Sequence, residues 1–429
     1  MEKFTAIILA AGKGTRMKST LPKVLHLLLG RPLIYYVLRE LFKAKQNIKQ
    51  IIVVVGYERE RVEAEVKRLF IKKYSGIRID FVNQKKRLGT ADAVSAAIKK
   101  VAYENILVAC GDSPLLTAAT FKKFISFYLK KNKSCSLLSA FLEKSNSLGR
   151  IIRDKDGCPQ RVKEKVGPRC CGQDSGKYEE ANSGVYCFKR ESLAVNLKLI
   201  KKNPVKKEYF LTDIIEVFYR NNKQVNSYTM DSGDEISGVN SQKDLWKAED
   251  IMRQRIMEEV SARGVAIIDP KTTYIEEGVK IGKNSVIYPF TFIEKGVIIG
   301  NNCSVGPFVR LRGKAFLADN TQVGNFLEIN RTRVGKSVKI KHFGYLGDAS
   351  IADNVNIGAG TVIANFDGKN KHKTIIGKGS FIGSDTVLVA PVKLGKNSAT
   401  GAGSVVTKNV TSGTTVVGVP ARVLKKKRR

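Results

Sequence analysis

With only three histidines in 429 residues and no Cys-x-x-Cys pair, the chain lacks the clustered ligands of a zinc site. Seven cysteines, at 110, 135, 158, 170, 171, 187 and 303, are an odd number without framework spacing. A disulfide-stapled secreted scaffold is therefore excluded, and reduced thiols are expected. No stretch approaches the roughly 18 apolar residues of a membrane span, and the apolar run 4–11 lacks the charged leader, length and cleavage pattern of a signal peptide. The expectation is a cytoplasmic protein with no membrane partner. Zinc-finger spacing, RNA-motif signatures and a basic ladder interleaved with aromatics are missing too, so no nucleic-acid partner is expected despite a formal charge of +36. Such an excess draws anions of every kind without choosing among them.

What is present is a chain able to bury a core, 43% hydrophobic and 27% charged, and too long for one domain of about 100–200 residues. To about residue 240, short β-branched runs alternate with helix-length amphipathic ones, as in an α/β domain with a largely parallel sheet. Strands are expected at 5–10, 50–55, 78–82, 106–109 and 136–140, with helices such as 33–42 and 58–70. Residues 241–263 carry Leu245, Ile251, Met252, Ile256 and Val260 on one helical stripe, with Ser241 as N-cap and Gly264 as stop. After Asp269 the period becomes six: IGSDTV, LVAPVK, LGKNSA and TGAGSV run unbroken from Ile382 to Val405, echoing earlier units at Ile281, Ile299 and Val334. A six-residue repeat over more than 100 residues marks a hexapeptide β-solenoid, with the aliphatic residue of each unit on the axis. The segment NFDGKNKHK at 365–373 offers no axial aliphatic and must loop out, as functional loops do. The expected boundaries are 1–240 for the α/β domain, 241–263 for a connecting helix and 264–429 for the solenoid, whose KKKRR end is a solvated tail.

In the first half a strand leads into LAAGKGTRM and then LPKVLH. Gly12 and Gly14 admit phosphate oxygens to backbone amides, while Lys13, Arg16 and Lys23 add charge. Neither Walker A spacing nor the third glycine of a dinucleotide fold is there. Gln84, Gly89 and Thr90 follow the third strand, where an amide can read the edge of a pyrimidine. Asp112, in CGDSPLL, ends the fourth strand, the side on which open α/β sheets bind ligands. A lone aspartate with one distant helper suits Mg²⁺, which takes few protein carboxylates beside substrate phosphates.

LAAGKGTRM, LPKVLH, QxxxxLGT, GD, the terminal repeats and text like GHxxYLGD occur in the order found in the bacterial bifunctional N-acetylglucosamine-1-phosphate uridyltransferase and glucosamine-1-phosphate acetyltransferase family, which this chain resembles along essentially its whole length. The resemblance implies a Rossmann-like nucleotidyltransferase domain followed by a left-handed hexapeptide-repeat β-helix, acting with Mg²⁺ and acetyl-CoA as a homotrimer. Leu9, Ala10, Gly12 and Lys23 are implied at UTP, with Gln84, Gly89 and Thr90 at the uracil. Arg16 is implied to stabilise charge developing on the phosphates, and Asp112 with Asn240 to hold the metal. Gly149, Glu164, Asn182 and Asn240 are implied at the sugar phosphate, although a surface role for Glu164 stays open because its local text is altered.

For the second half the resemblance implies that His342, in KHFGYLGDASI, deprotonates the amine of glucosamine 1-phosphate for attack on acetyl-CoA, with Glu328 as an orienting group. Arg312, Tyr345, Asn356 and Lys371 are implied at this sugar phosphate, and Asn365, Phe366 and Ser384 nearer the amine and the acetyl-CoA. Two departures stand out: Asn330 replaces a phosphate-binding lysine, for which Arg331 or Arg333 are the available substitutes, and Phe366 replaces a common tyrosine. The ending VVGVPARVLKKKRR resembles that of a general hexapeptide transferase, and not the longer tail of the bifunctional family. Two other readings stay open, a sugar-1-phosphate nucleotidyltransferase whose solenoid is only a scaffold, and a translation-factor-like binding protein.

Overall fold

The computed structural model describes residues 2–71, 75–143, 148–164 and 178–424. Cys170, Cys171 and the basic tail fall outside them. Two compact units, Met1–Ile251 and Met252–Arg429, are taken in turn.

In the first, a twisted sheet runs in the order Val225–Met230, Cys135–Glu143, Tyr178–Lys189, Asn105–Cys110, Phe4–Ala10, Ile48–Val55, Arg78–Asn83. Every expected strand is present, one to three residues longer at its ends. Successive side chains of the central strands enter opposite cores. Phe4, Ala6 and Ile8 join Val53 and Leu107 on one face, and Ile7 joins Ile52, Val54 and Val108 on the other. Burial on both faces is why these strands read as unbroken β-branched runs rather than as alternation. The sheet is not wholly parallel. Tyr178–Lys189 pairs antiparallel with both its neighbours and with Arg150–Arg153 of the hairpin closed by Pro159–Lys163. The expected helix at 33–42 is Leu33–Lys43; that at 58–70 is Arg59–Val66 followed by a wider turn, Lys67–Ile71.

The helix Gln242–Ala262 begins at the expected cap. The backbone amide of Asp244 donates to Ser241 Oγ (3.3 Å), while the Ser241 amide and hydroxyl donate to the Asp244 carboxylate (2.9 Å each), a reciprocal cap that satisfies otherwise orphaned donors.

In the second unit, strands of two to four residues stack into three sheets, parallel except for the last pair, Thr415–Val417 with Arg422–Val423. Val286 pairs with Ser304 and Ser304 with Gln322, so one coil is 18 residues, or three hexapeptides. The axial residues Ile281, Ile287, Ile293, Ile299, Val305, Leu311 and Leu317 are all buried. Past this point Gln322 pairs with Lys339 and Lys339 with Asn356, two coils of 17. Asn356 then pairs with Phe381, a coil of 25 that contains residues 365–373. That segment leaves the coil as expected, closed by a bridge between Phe366 and Lys371 and by His372 on Asp367 (2.6 Å).

Candidate functional site

Phe4–Ala10 and Asn105–Cys110 lie side by side and parallel, so the loops after them open at one edge of the sheet. Ala10 is turned into the core, which leaves its backbone for any ligand. Gly14 takes φ +72°, and a Cβ there would sit 2.6 Å from Lys23 Cβ. The turn Thr15–Met17 follows at once, with Met17 buried and Arg16 exposed. Arg16 (2.8 Å) and Lys23 (3.0 Å) both donate to Asn240 Oδ1, and Lys23 is also ion-paired with Asp112. A residue 224 positions from Arg16 is thereby drawn into the same site.

Two cavities meet at Arg16, Lys23 and Asn240. One, of about 520 Å³, is lined by Gly12, Lys13, Lys86 and Arg87, with Glu208 as its one carboxylate. The other, of about 320 Å³, is lined by Leu9, Thr90, Asp112, Gly149, Glu164 and Asn182 among others. Glu164 is thus a half-buried cavity wall and not a surface residue. Gln84 lines a third hollow, which shares Arg87 with the first. Its Nε2 donates to Gly89 O (2.9 Å) and to Asp92 (2.7 Å), so its Oε1 is left as an acceptor. Gly89 is required where it stands, at φ +107° with a Cβ position 2.4 Å from Tyr209 O.

The motifs gave no hint of Thr212. Its hydroxyl is buried without a hydrogen-bond partner and it lines the second cavity, where a ligand would satisfy it. Replacing Thr212 by Val, which removes the hydroxyl and keeps the shape, is expected to leave the melting temperature unchanged or slightly higher. It should raise the KM for the substrate held in that cavity about 5- to 10-fold, the worth of one hydrogen bond; an unchanged KM would place the hydroxyl outside the ligand's reach.

Beside Thr212, burial first and then the charges of Glu164 and Glu216 push the Asp213 carboxyl up to about 6. An acid raised on folding binds its proton more tightly in the folded state, so its contribution to stability is present below about pH 4 and is lost as the pH climbs through about 6. Asp213→Asn should therefore stabilise by on the order of 1 kcal/mol at pH 7.5 and by nothing at pH 4, as read from melts at the two pH values. Burial likewise pushes the Cys110 thiol, on the wall of the second cavity, up to about 12, so it is a neutral thiol and no nucleophile.

In the solenoid, the implied residues fall into two groups at the two edges of one face. At the exit edge, Arg312 is held by Glu328 (2.5 Å), and Asn365 donates to Asp348. Lys371, exposed on the extruded loop, acts on the same Asp348 carboxylate. Tyr345 stands in register with Glu328. At the entry edge, His342 and Ser384 occupy corners two coils apart, both exposed, and Asn356 lies on the adjoining sheet. Glu328 gives its Oε1 to Arg312 in a charge-assisted bond.

The first unit is matched by the nucleotidyl transferase family model over residues 5–254, and the second by the bacterial transferase hexapeptide model over 272–313 and 373–408. The chain is accordingly a nucleotidyl transferase domain followed by a left-handed hexapeptide β-helix. Along its whole length it is similar to the "Bifunctional protein GlmU" of Syntrophomonas wolfei, at 36% identity over 95% of this chain and 96% of the relative. The same-named proteins of Desulfitobacterium hafniense (36%; 97% and 96%) and Thermosipho africanus (38%; 94% and 92%) are equally extensive matches. The chain belongs to the bifunctional GlmU family.

Proposed function

We propose that the chain makes UDP-N-acetylglucosamine by acetyl transfer from acetyl-CoA to glucosamine 1-phosphate and then uridylyl transfer from UTP, with release of pyrophosphate. The observation that carries this reading is the pair of cavities meeting at Arg16, Lys23 and Asn240. The basic one suits a triphosphate; the inner one, walled by Gly149, Glu164 and Asn182, suits a sugar phosphate beside it. An oxygen of the sugar 1-phosphate then attacks the α-phosphorus of UTP in line. Positioning and charge stabilisation do most of the work in such transfers. Arg16 offers its guanidinium where charge accumulates and Lys23 spans both cavities. Gln84 Oε1 accepts from the N3–H of uracil, whereas cytosine presents an acceptor there, which favours UTP over CTP.

Asp112 and Asn240 would hold Mg²⁺. Their side-chain oxygens converge on one cation, the Lys23 ammonium, and such hard oxygens with room for phosphates suit this ion. When bound, it supplies charge that neutralises phosphate oxygens.

In the solenoid, His342 takes a proton from the amine of glucosamine 1-phosphate, the freed nitrogen pair adds to the acetyl carbonyl, and the thiolate of CoA departs. Asn365, Phe366 and Ser384 serve the acetyl-CoA side, and Arg312, Tyr345, Asn356 and Lys371 the sugar phosphate. The spread of these groups over two edges of one face, and the exposed stack of Phe290, Phe308 and Phe326 with centroids 4.8 and 4.9 Å apart, support a homotrimer in which a neighbouring copy completes the site. The chemistry is that of a cytoplasmic enzyme, where these substrates are made.

A two-part assay tests the reading: CoA release with glucosamine 1-phosphate, and pyrophosphate release with UTP plus N-acetylglucosamine 1-phosphate. Both are expected. Pyrophosphate release alone would reduce the solenoid to a scaffold, and a mobility shift with RNA insensitive to UTP would favour a binding protein.

A further inference from the structure

We infer that Arg331 is the residue that binds the substrate's phosphate in the solenoid site, a role that Asn330 has no charge to fill; the inference rests on the acetyl-transfer reading above. Asn330 is 1% exposed. Its amide oxygen accepts from Arg331 Nη1 (3.0 Å) and its carbonyl oxygen from the Asp348 amide (3.0 Å). The side chain is thus a fixed part of the wall, with no charge to offer an anion.

The backbone explains why its neighbour faces outward. Arg312 pairs with Asn330, 18 residues on, but Phe316 pairs with Arg333, only 17 on. The corner between them has lost one residue, and Arg331 occupies it at φ +51°. One coil later Asp348 sits at the matching corner at φ +52°, and one coil after that the chain leaves through the same corner as the loop 365–373. Arg331, Asp348 and Asn365 therefore form a column. Arg331 Nε and Nη2 donate to the two Asp348 oxygens (2.6 and 2.8 Å), and Asn365 donates to that carboxylate from the next coil.

The column encloses a polar spot. A Cβ on Gly347 would lie 2.5 Å from Tyr345 Oη and 2.7 Å from Asn365 Nδ2, so hydroxyl and amide approach one point over a bare glycine. Tyr345 also lies against Arg331. Three cations, Arg312, Arg331 and Lys371, stand here against two carboxylates, Glu328 and Asp348, which leaves a surplus of positive charge. Guanidinium is the group best shaped to hold two phosphate oxygens at once, and the Arg331 side chain is 34% exposed. Arg333 is not a rival. It lies on a different sheet, its guanidinium over the Phe316 ring at 4.4 Å.

The test measures acetyl transfer to glucosamine 1-phosphate and to unphosphorylated glucosamine, with pyrophosphate release from UTP as the check on folding. Because removing Arg331 alone would strand the Asp348 carboxylate, the variant is Arg331→Met combined with Asp348→Asn, set beside Asp348→Asn alone and Arg333→Met. The double variant should raise the KM for glucosamine 1-phosphate about 10- to 100-fold with little change in kcat, the worth of a charged hydrogen bond. Its KM for glucosamine should equal that of Asp348→Asn alone, which is the reference for the double variant, and Arg333→Met should match the parent. Equal losses with both acceptors, or the same loss in Asp348→Asn alone, would make Arg331 a structural strut and overturn the inference. Calorimetric binding of glucosamine 1-phosphate, without acetyl-CoA, separates the two readings. Binding that depends on Arg331 without turnover would refute acetyl transfer alone, and binding indifferent to Arg331 would refute the inference.

Discussion

Arg16→Ala is expected to lower kcat for uridylyl transfer about 10²- to 10³-fold, the usual loss when one preorganised donor to developing charge is removed, while CoA release continues at the parental rate. The residue is exposed and buries nothing, so the fold should survive its truncation. Its position is set by neighbours: Gly14 turns the chain in the left-handed region, Met17 anchors the far side of the short turn, and Asn240 receives the guanidinium at 2.8 Å. A group so held needs little reorganisation when charge appears on the phosphates. If kcat fell less than tenfold, or only the KM for UTP rose, Arg16 would be a binding residue and the stabilising charge would have to come from Lys23 or the rim pair Lys86 and Arg87.

The mirror experiment is His342→Ala, which should cut CoA release about 10²- to 10⁴-fold, the range for loss of a general base, and leave pyrophosphate release from UTP untouched. His342 is exposed at a corner of the coil, so a packing role offers no competing explanation for a loss. Full activity in the variant would mean that another group takes the proton. His372 would not be an equal candidate, since it is already committed to Asp367 within the extruded loop. Together the two variants should be complementary: mixed with glucosamine 1-phosphate, acetyl-CoA and UTP, each provides the step that the other has lost, with N-acetylglucosamine 1-phosphate passing between them through solution.

Local pattern carried much of this architecture. The β-branched runs at Ile48–Val55 and Asn105–Cys110 could only be strands buried on both faces, and the six-residue period announced a coil with aliphatic residues on its axis. Gly14, Asp112 and Gln84 were legible because phosphate loops and strand ends impose residue types on short stretches. What was not legible is what depends on partners far away in sequence. The antiparallel course of Tyr178–Lys189 is a direction that period-two alternation cannot show. Thr212 looks like any helix-start threonine until the cavity beside it is seen. The pairing of Glu328 with Arg312 is decided by register between coils, and so is the difference between Arg331 and Arg333, two residues apart in the text but one at a corner and the other on the sheet beyond it.

The stacked coils carry a further implication for the second unit. Each coil touches only the one before and the one after, so its cohesion resembles that of a zipper, lost tooth by tooth from an open end. Arg312 through Ser384 occupy interior teeth, with whole coils above and below them. The chemistry is thus lodged where thermal fraying arrives last, and the terminal coils, which bear none of the proposed catalytic groups, act as its insulation.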